Sequence, residues 1–135
     1  MQRTLVLIKP DAVRRKLAGE IISRIEKRNF VISAMKMLRP SRELMEQHYA
    51  AHKDKDFFEP TVEFMTSGYV IAMVVEGYDA VALVRTMMGA TNPLNAAPGS
   101  IRGDLTISMR ENLIHGSDSP EAAAAEIKLW FNELR

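Results

Sequence analysis

The chain has 135 residues and a mass of 15.2 kDa, the size of one ordinary domain. Apolar residues make up 47% of it and charged residues 26%, which is typical of a folded globular protein and excludes a largely disordered one. Its 18 Lys and Arg residues nearly balance 17 Asp and Glu residues, so no overall field favours nucleic acid or an anionic membrane. Because there is no cysteine, disulfides, thiol catalysis and Cys-ligated metals are excluded.

Apolar runs along the chain are short. The N-terminal run at residues 4–8 ends at Lys9 and Pro10, which is too short for the core of a signal peptide. No run approaches the roughly 20 residues of a membrane span. We therefore expect a cytoplasmic protein with a single domain over residues 1–135, either an enzyme or a binding module.

Strands and helices alternate in the first half of the chain. Residues 5–8 form a continuous apolar run, which predicts a strand buried on both faces. A helix follows and ends near Asn29, and residues 31–38 predict a second strand. Ser41 is the expected N-cap of the next helix, and Pro60 is expected in the first turn of another. The stripe of the helix after Ser41 consists of Met45, His48, Tyr49 and His52.

The second half continues the alternation around one long loop. Residues 70–75 are the most apolar run and predict a central strand, and residues 78–88 predict a helix closed by Gly89. Periodicity is lost from residue 89 to 104, and a loop of this length is usually functional or disordered. Residues 105–109 fit either a strand or a helical turn. A short strand is predicted at residues 113–115.

A last helix follows Ser119 as N-cap. Its buried face is predicted to consist of Ala123, Ile127, Trp130, Phe131 and Leu134. The whole order of elements favours an α+β fold of the ferredoxin-like βαββαβ arrangement, a four-stranded antiparallel sheet covered by helices.

His115 is a candidate nucleophile, although a lone histidine beside apolar residues is more often a packed core residue. It lies at the end of an apolar strand, where Gly116 leaves room beside its ring. Glu126 falls on the inner edge of the last helix. A carboxylate there could accept the proton of one ring nitrogen and leave the other as a nucleophile, but a solvated helix edge is an equal alternative.

Several cations could serve a phosphate group. Arg102 lies in the aperiodic loop and Arg85 on the helix before it, and with Thr91 they offer the donors that phosphate oxygens need. Lys9 directly follows a buried strand, where ligands commonly bind. His48 and His52 are four residues apart and could bind a metal, but packing is favoured because no third ligand has useful spacing. The P-loop motif is absent.

Motifs along the chain resemble those of the nucleoside diphosphate kinase family. Residues 112–118, Asn-Leu-Ile-His-Gly-Ser-Asp, closely resemble the family signature. The resemblance extends over essentially the whole chain and implies a ferredoxin-like core, in agreement with the predicted elements. The other matching segments, in order, are residues 4–11, 48–49, 57–58, 89–93 and 98–104.

The resemblance implies a ping-pong phosphotransfer that maintains NTP and dNTP pools. His115 would take the γ-phosphoryl of a nucleoside triphosphate on Nδ1 and pass it to a nucleoside diphosphate. Glu126 would hold the ring through Nε2, and Ser117 would assist. Lys9 and Asn112 would bind the sugar 3′-hydroxyl. Lys9 would also lie near the transferred phosphoryl, with Tyr49 supporting it.

The resemblance also implies the nucleotide contacts. Arg85, Thr91 and Arg102 would bind the phosphates, bridged by Mg²⁺ with no metal ligand from the protein. Phe57 would stack on the base, near Thr61 and Met109. A homo-oligomer is implied, with a hexamer favoured and a tetramer as the alternative. Four positions depart from the family pattern, and they are Asp56, Thr61, Tyr69 and Met109.

Two other functions compete with the enzyme. A non-catalytic ferredoxin-like module that senses a nucleotide would share the fold, but the combination of His115 with Glu126, Lys9 and Arg102 favours catalysis. An RNA-binding domain would need exposed aromatic residues on its central strands and a basic sheet face. Residues 5–8 and 70–75 contain no aromatic residue.

Overall fold

The computed structural model describes residues 1–133, and Leu134, predicted on the buried face of the last helix, lies outside them. The strands are Gln2–Ile8 (β1), Val31–Leu38 (β2), Val70–Gly77 (β3) and Ile114–Gly116 (β4). The helices are Pro10–Arg14 (α1), Ala18–Lys27 (α2), Arg42–His48 (α3), Phe58–Met65 (α4), Ala80–Met88 (α5), Ile101–Leu105 (α6) and Pro120–Trp130 (α7), with a 3₁₀ turn at Ala50–His52. Within residues 1–133, no helix combines the length and apolar character needed to cross a membrane.

The four strands form one antiparallel sheet in the order β2-β3-β1-β4. The two central strands pair along the full length of β1, from Gln2 opposite Gly77 to Ile8 opposite Ile71. On its other side β1 pairs with the short β4, which places His115 opposite Leu7. The predicted ferredoxin-like class is confirmed, and the sheet brings the end of β1 next to the strand that carries His115.

Helices cover both faces of the sheet, which explains the unbroken apolar run of β1. Val6 and Ile8 pack on one side against residues of α2 and α5. Leu5 and Leu7 point the other way and pack against α3, α4 and α7. All four side chains are fully buried. A strand with two covered faces has no solvent side, so its sequence need not alternate.

The two N-caps predicted from the sequence, Ser41 and Ser119, are confirmed. The Ser41 side chain accepts a hydrogen bond from the Leu44 N–H, and the Ser119 side chain accepts one from the Ala122 N–H. The helix predicted from residue 78 begins at Ala80, because Asp79 has left-handed backbone angles with φ of 50°.

The loop predicted from residue 89 to 104 contains a helix that the sequence pattern misses. α6 begins after Ser100, whose side chain accepts a hydrogen bond from the Gly103 N–H. A five-residue helix is too short for apolar periodicity to appear. Gly103 is required there, because a Cβ would lie 1.9 Å from the Ala97 carbonyl oxygen. Residues 106–109 belong to neither a strand nor a helix, so neither interpretation of residues 105–109 holds beyond Leu105.

Candidate active site

A cavity of about 480 Å³ opens where β1 ends and β4 begins, between α4, α5 and the segment around residue 109. Ten of its lining residues are sequence-predicted site residues, and they are Lys9, Tyr49, Phe57, Thr61, Arg85, Thr91, Arg102, Met109, Asn112 and His115. The other two predicted residues, Glu126 and Ser117, lie behind His115 and contact it or each other. The structure therefore brings the whole predicted set together from distant parts of the chain.

His115 is held by a carboxylate on the neighbouring helix. Its Nε2 lies 3.0 Å from Oε1 of Glu126, which accepts a second hydrogen bond from the Ser117 hydroxyl at 2.7 Å. The Ser117 oxygen in turn accepts the Leu5 N–H at 3.3 Å, which ties the group to β1. Burial raises the pKa of Glu126, but the hydrogen bond and charge of His115, with Ser117, outweigh burial and hold that pKa below its usual value.

This arrangement gives the two ring nitrogens of His115 different roles. When Nε2–H donates to the carboxylate, Nδ1 carries the lone pair of a neutral imidazole. No hydrogen bond within residues 1–133 engages Nδ1. The side chain is 21% exposed and lines the cavity, so His115 is not an enclosed core residue. A neutral imidazole oriented in this way is a competent nucleophile.

Lys9 and Asn112 form the second pair in the cavity. The Lys9 ammonium donates to the Asn112 side-chain oxygen at 2.9 Å, and its own side chain is almost fully buried. Burial lowers the pKa of Lys9 to about 8, Asp11 acts in the opposite direction, and Arg102 lowers it further. Lys9 therefore supplies a positive charge at neutral pH that is lost at moderately alkaline pH.

Three arginines, Arg85, Arg102 and Arg110, line the cavity, and the first two are fixed by backbone carbonyls. Arg102 donates to the carbonyl oxygens of Gly89, Asn112 and Ile114 at 2.7–3.2 Å. Arg85 donates to the Gly116 carbonyl at 2.9 Å. Within residues 1–133, neither of them forms a salt bridge. Burial, together with Arg85, lowers the pKa of Arg102 to about 10.

These contacts give the two arginines a double role. They hold the backbone on both sides of His115, and they leave their positive charge without a carboxylate partner. Arginine in such a place is suited to a phosphate, whose oxygens match the planar fork of donors.

The mouth of the cavity is wider and more apolar. Phe57 is 47% exposed and Met109 is 59% exposed, and Thr61 lies with them in the lining. The His52 ring lies 5.5 Å from the Phe57 ring. This end offers an aromatic face, a thioether and one hydroxyl, which are groups suited to a flat ring system.

His48 is close to His115, a relationship that the sequence did not predict. Its ring lies 4.7 Å from the His115 ring at an angle of 75°, and its Nδ1 accepts a hydrogen bond of 3.0 Å from the Trp130 indole. Burial and the nearby His115 lower the pKa of His48 to about 3, so its ring is neutral. His48 and His52, the alternative metal pair, have separate partners, because His48 Nδ1 accepts the Trp130 hydrogen bond and the His52 ring contacts that of Phe57.

An oriented imidazole, three arginines and a lysine line one cavity with an apolar compartment beside it, a combination suited to a ligand with phosphate groups and a flat ring. Comparison with known proteins agrees. The family model for nucleoside diphosphate kinase matches residues 2–135, so the chain belongs to the nucleoside diphosphate kinase family. Enzymes of this family transfer the γ-phosphoryl of a nucleoside triphosphate to a nucleoside diphosphate. The predicted family and enzyme class are confirmed.

Named relatives and solved structures support the same assignment. A nucleoside diphosphate kinase of Rubrobacter xylanophilus is 59% identical over 97% of this chain and 98% of the relative. One of Carboxydothermus hydrogenoformans is 57% identical over 98% of this chain and 89% of the relative. Among solved structures, the apo enzyme of Encephalitozoon cuniculi matches with a TM-score of 0.95, 47% identity and coverage of 97% and 89%. The Halobacterium salinarum enzyme in complex with CDP matches with a TM-score of 0.94, 48% identity and coverage of 97% and 88%.

Proposed function

We propose that the phosphoryl group passes through His115 in two steps. In the first, Nδ1 attacks the γ-phosphorus of a nucleoside triphosphate, an N–P bond forms, and the P–O bond to the leaving diphosphate breaks. In the second, the terminal phosphate oxygen of another nucleoside diphosphate attacks, and the N–P bond breaks. The observation that carries this proposal is the 3.0 Å contact of Nε2 with Glu126, which leaves Nδ1 as the nucleophilic nitrogen.

The cations of the cavity would bind and neutralise the phosphates. Arg85, Arg102 and the Thr91 hydroxyl would contact phosphate oxygens, and Lys9 would lie near the transferred group. Phosphoryl transfer needs positioning and charge neutralisation more than covalent chemistry, so a rigid set of donors suits it. Lys9 and Asn112 would also bind the 3′-hydroxyl of the sugar.

Tyr49 would support this end of the cavity. It is a lining residue, and its ring packs 4.7 Å from that of His48. Burial raises the pKa of Tyr49, so its hydroxyl stays protonated and can donate a hydrogen bond at neutral pH.

Mg²⁺ would enter with the nucleotide. Among the described residues that line the cavity there is no Asp or Glu, so the protein offers no carboxylate cage for a hard cation. The donor set therefore fits a magnesium ion that is held by the phosphates and retains water. When bound, it would neutralise phosphate charge during transfer.

The apolar mouth would hold the base, with Phe57 stacking on it and Thr61 and Met109 beside it. The Halobacterium salinarum relative, which is bound to CDP, supports nucleotide binding at such a site. Phe57 and Met109 contact a base without forming hydrogen bonds to its edges, so the proposed substrate range is broad across nucleobases.

The functional unit would be a cytoplasmic homo-oligomer, with a hexamer favoured over a tetramer. β2 is an edge strand, and it exposes Val31, Met35 and Met37, each more than half exposed. An apolar edge of this kind favours pairing with a second copy. Light scattering should return a multiple of 15.2 kDa, and a monomer mass would contradict this part of the proposal.

The transfer through His115 is tested by trapping the intermediate. Incubation with γ-labelled ATP and Mg²⁺ should give a labelled protein that is acid-labile and base-stable, as a phosphorus–nitrogen bond is. His115→Ala should abolish the label, and the control Glu121→Gln, on the exposed first turn of α7, should keep it. Addition of a different nucleoside diphosphate should release the label as new triphosphate. Label that survives His115→Ala, or that resists acid, would refute the assignment.

A further inference from the structure

Asp11 is a buried carboxylate that takes no part in the proposed transfer. It is 2% exposed and is not among the residues that line the active-site cavity. It follows Lys9 by two positions, at the start of α1. One of its oxygens, Oδ2, accepts a hydrogen bond of 3.1 Å from the N–H of Leu113, which lies 102 residues further along the chain. Its other oxygen has no hydrogen-bond partner within residues 1–133.

Leu113 has an unusual backbone conformation. Its φ is 76°, in the left-handed region that side chains with a Cβ rarely adopt. Such a conformation persists only when the surroundings enforce it. Arg102 holds the carbonyls on either side of Leu113, those of Asn112 and Ile114. Asp11 accepts the Leu113 N–H, and the Lys9 N–H donates to the Leu113 carbonyl at 2.9 Å. Both polar groups of the strained residue are therefore bound by the segment that joins β1 to α1.

The turn at Leu113 connects two parts of the active site. Asn112 precedes it and reaches Lys9 at 2.9 Å, and β4 begins directly after it and carries His115. A relaxed backbone at Leu113 would rotate Asn112 relative to the strand. The nucleophile and its partners would then lose the relative positions that transfer requires.

Charge provides a second link between Asp11 and the site. Asp11 acts to raise the pKa of Lys9, at the end of β1, and of Arg102, in α6. The other charged groups on its side are Arg15, Asp104 and Glu111, which line a second cavity with it. An amide at position 11 could still accept the Leu113 N–H but would not carry this charge. The hydrogen bond and the charge can therefore be separated by experiment.

We propose that Asp11 is a positioning residue for phosphoryl transfer, and that it acts by holding the left-handed turn at Leu113, which aligns Asn112 and Lys9 with His115. This inference rests on the proposed role of His115. It concerns a residue that contacts neither the nucleotide nor the transferred phosphoryl.

The test compares Asp11→Asn with Asp11→Ala, using Asp79→Asn as a matched control. Asp79 is exposed, its side chain caps nothing, and asparagine tolerates its left-handed backbone. The rate of His115 phosphorylation by ATP is measured by rapid quench, and kcat/KM is measured from pH 6 to 10. At pH 6, Asp11→Asn should remain within about fivefold of wild type, and Asp11→Ala should fall by about 10²-fold, the loss that a small misplacement causes.

The pH profile distinguishes a positioning role of Asp11 from a general loss of native structure in the variants. Without the Asp11 charge, the pKa of Lys9 falls, so the alkaline loss of kcat/KM in Asp11→Asn should begin at lower pH than in wild type. Asp11→Ala should be slow at every pH. Wild-type phosphorylation rates in the alanine variant at pH 6, or an asparagine variant as slow as the alanine variant, would overturn the proposal.

Two further arms keep the result interpretable. Asp11→Asn is nearly isosteric, so its expected rate and pH shift remain testable even if Asp11→Ala does not fold. A wild-type protein that forms no acid-labile phosphoenzyme would refute the proposed function itself. Normal wild-type labelling with unaffected Asp11 variants would refute only this inference.

Discussion

Nε2 of His115 and Oε1 of Glu126 lie 3.0 Å apart across the gap between β4 and α7. The contact depends on the fold of the whole chain. β4 pairs with β1, which places His115 opposite Leu7, and α7 packs on the face of the sheet to which Leu7 points. The contact sets which ring nitrogen carries the proton. Glu126 itself does not line the cavity, so its effect on catalysis should pass through the ring alone.

Glu126→Gln should slow phosphorylation of His115 by about 10²-fold, the lower end of what a positioned proton acceptor contributes. The amide oxygen can still accept from Nε2, but it does not stabilise the positive charge that develops on the ring. The KM for nucleotide should change little. Rapid quench gives the rate, and Glu121→Gln, on the exposed first turn of the same helix, is the control. Equal rates for both variants would refute this role.

Arg102→Ala should lower turnover by about 10²–10³-fold, as the loss of a preorganised donor does. It should also destabilise the protein, because three carbonyl oxygens lose the Arg102 donor, and that of Asn112 keeps another, the Ile114 N–H. Each buried carbonyl left unpaired costs about 1–3 kcal/mol. Arg85→Ala frees one carbonyl, so its Tm should fall less while its turnover also drops. Thermal unfolding and steady-state kinetics measure the two effects, and an unchanged turnover in Arg102→Ala would remove that residue from the site.

The pKa of Lys9 predicts an alkaline loss of activity. Burial lowers this pKa from 10.5 to about 8, so the free enzyme carries the ammonium charge below pH 8 and loses it above. Log kcat/KM should therefore decline above pH 8 with a slope of about −1, since kcat/KM reports the free enzyme. Lys9→Met should be weakly active and lack this limb. A wild-type profile that stays level to pH 10 would contradict the prediction.

The lowered pKa of Lys9 affects stability and activity in opposite directions as pH rises. Between pH 8 and 10.5 the unfolded chain binds a proton at Lys9 that the folded protein does not. The contribution of Lys9 to the free energy of unfolding therefore rises with pH over that interval.

Local patterns predicted the sheet well, because the apolar run of β1 and the caps at Ser41 and Ser119 report short-range structure. The sequence also indicated that His115 and Glu126 could meet, since Glu126 falls on the inner edge of the last helix. The sequence could not predict the position of His48 in the site, because its contact with Trp130 spans 82 residues. Asp11 was missed for the same reason, and no spacing rule links it to Leu113.

The last prediction is broad tolerance of the nucleobase. Phe57, Met109 and the Thr61 hydroxyl line the cavity mouth, and the exposed side chains of His52 and Arg110 line the same cavity. Stacking on an aromatic ring contributes roughly 1–3 kcal/mol and does not distinguish bases sharply, and one hydroxyl can donate to or accept from any base edge. Values of kcat/KM for ADP, GDP, CDP, UDP and dTDP with one fixed donor should therefore lie close together, with purines somewhat ahead because they stack over more area. Phe57→Ala should lower all five together. A spread of about 10⁴ or more would require a polar group that reads the base, as a site built on hydrogen bonds does, and would refute this account of the cavity mouth.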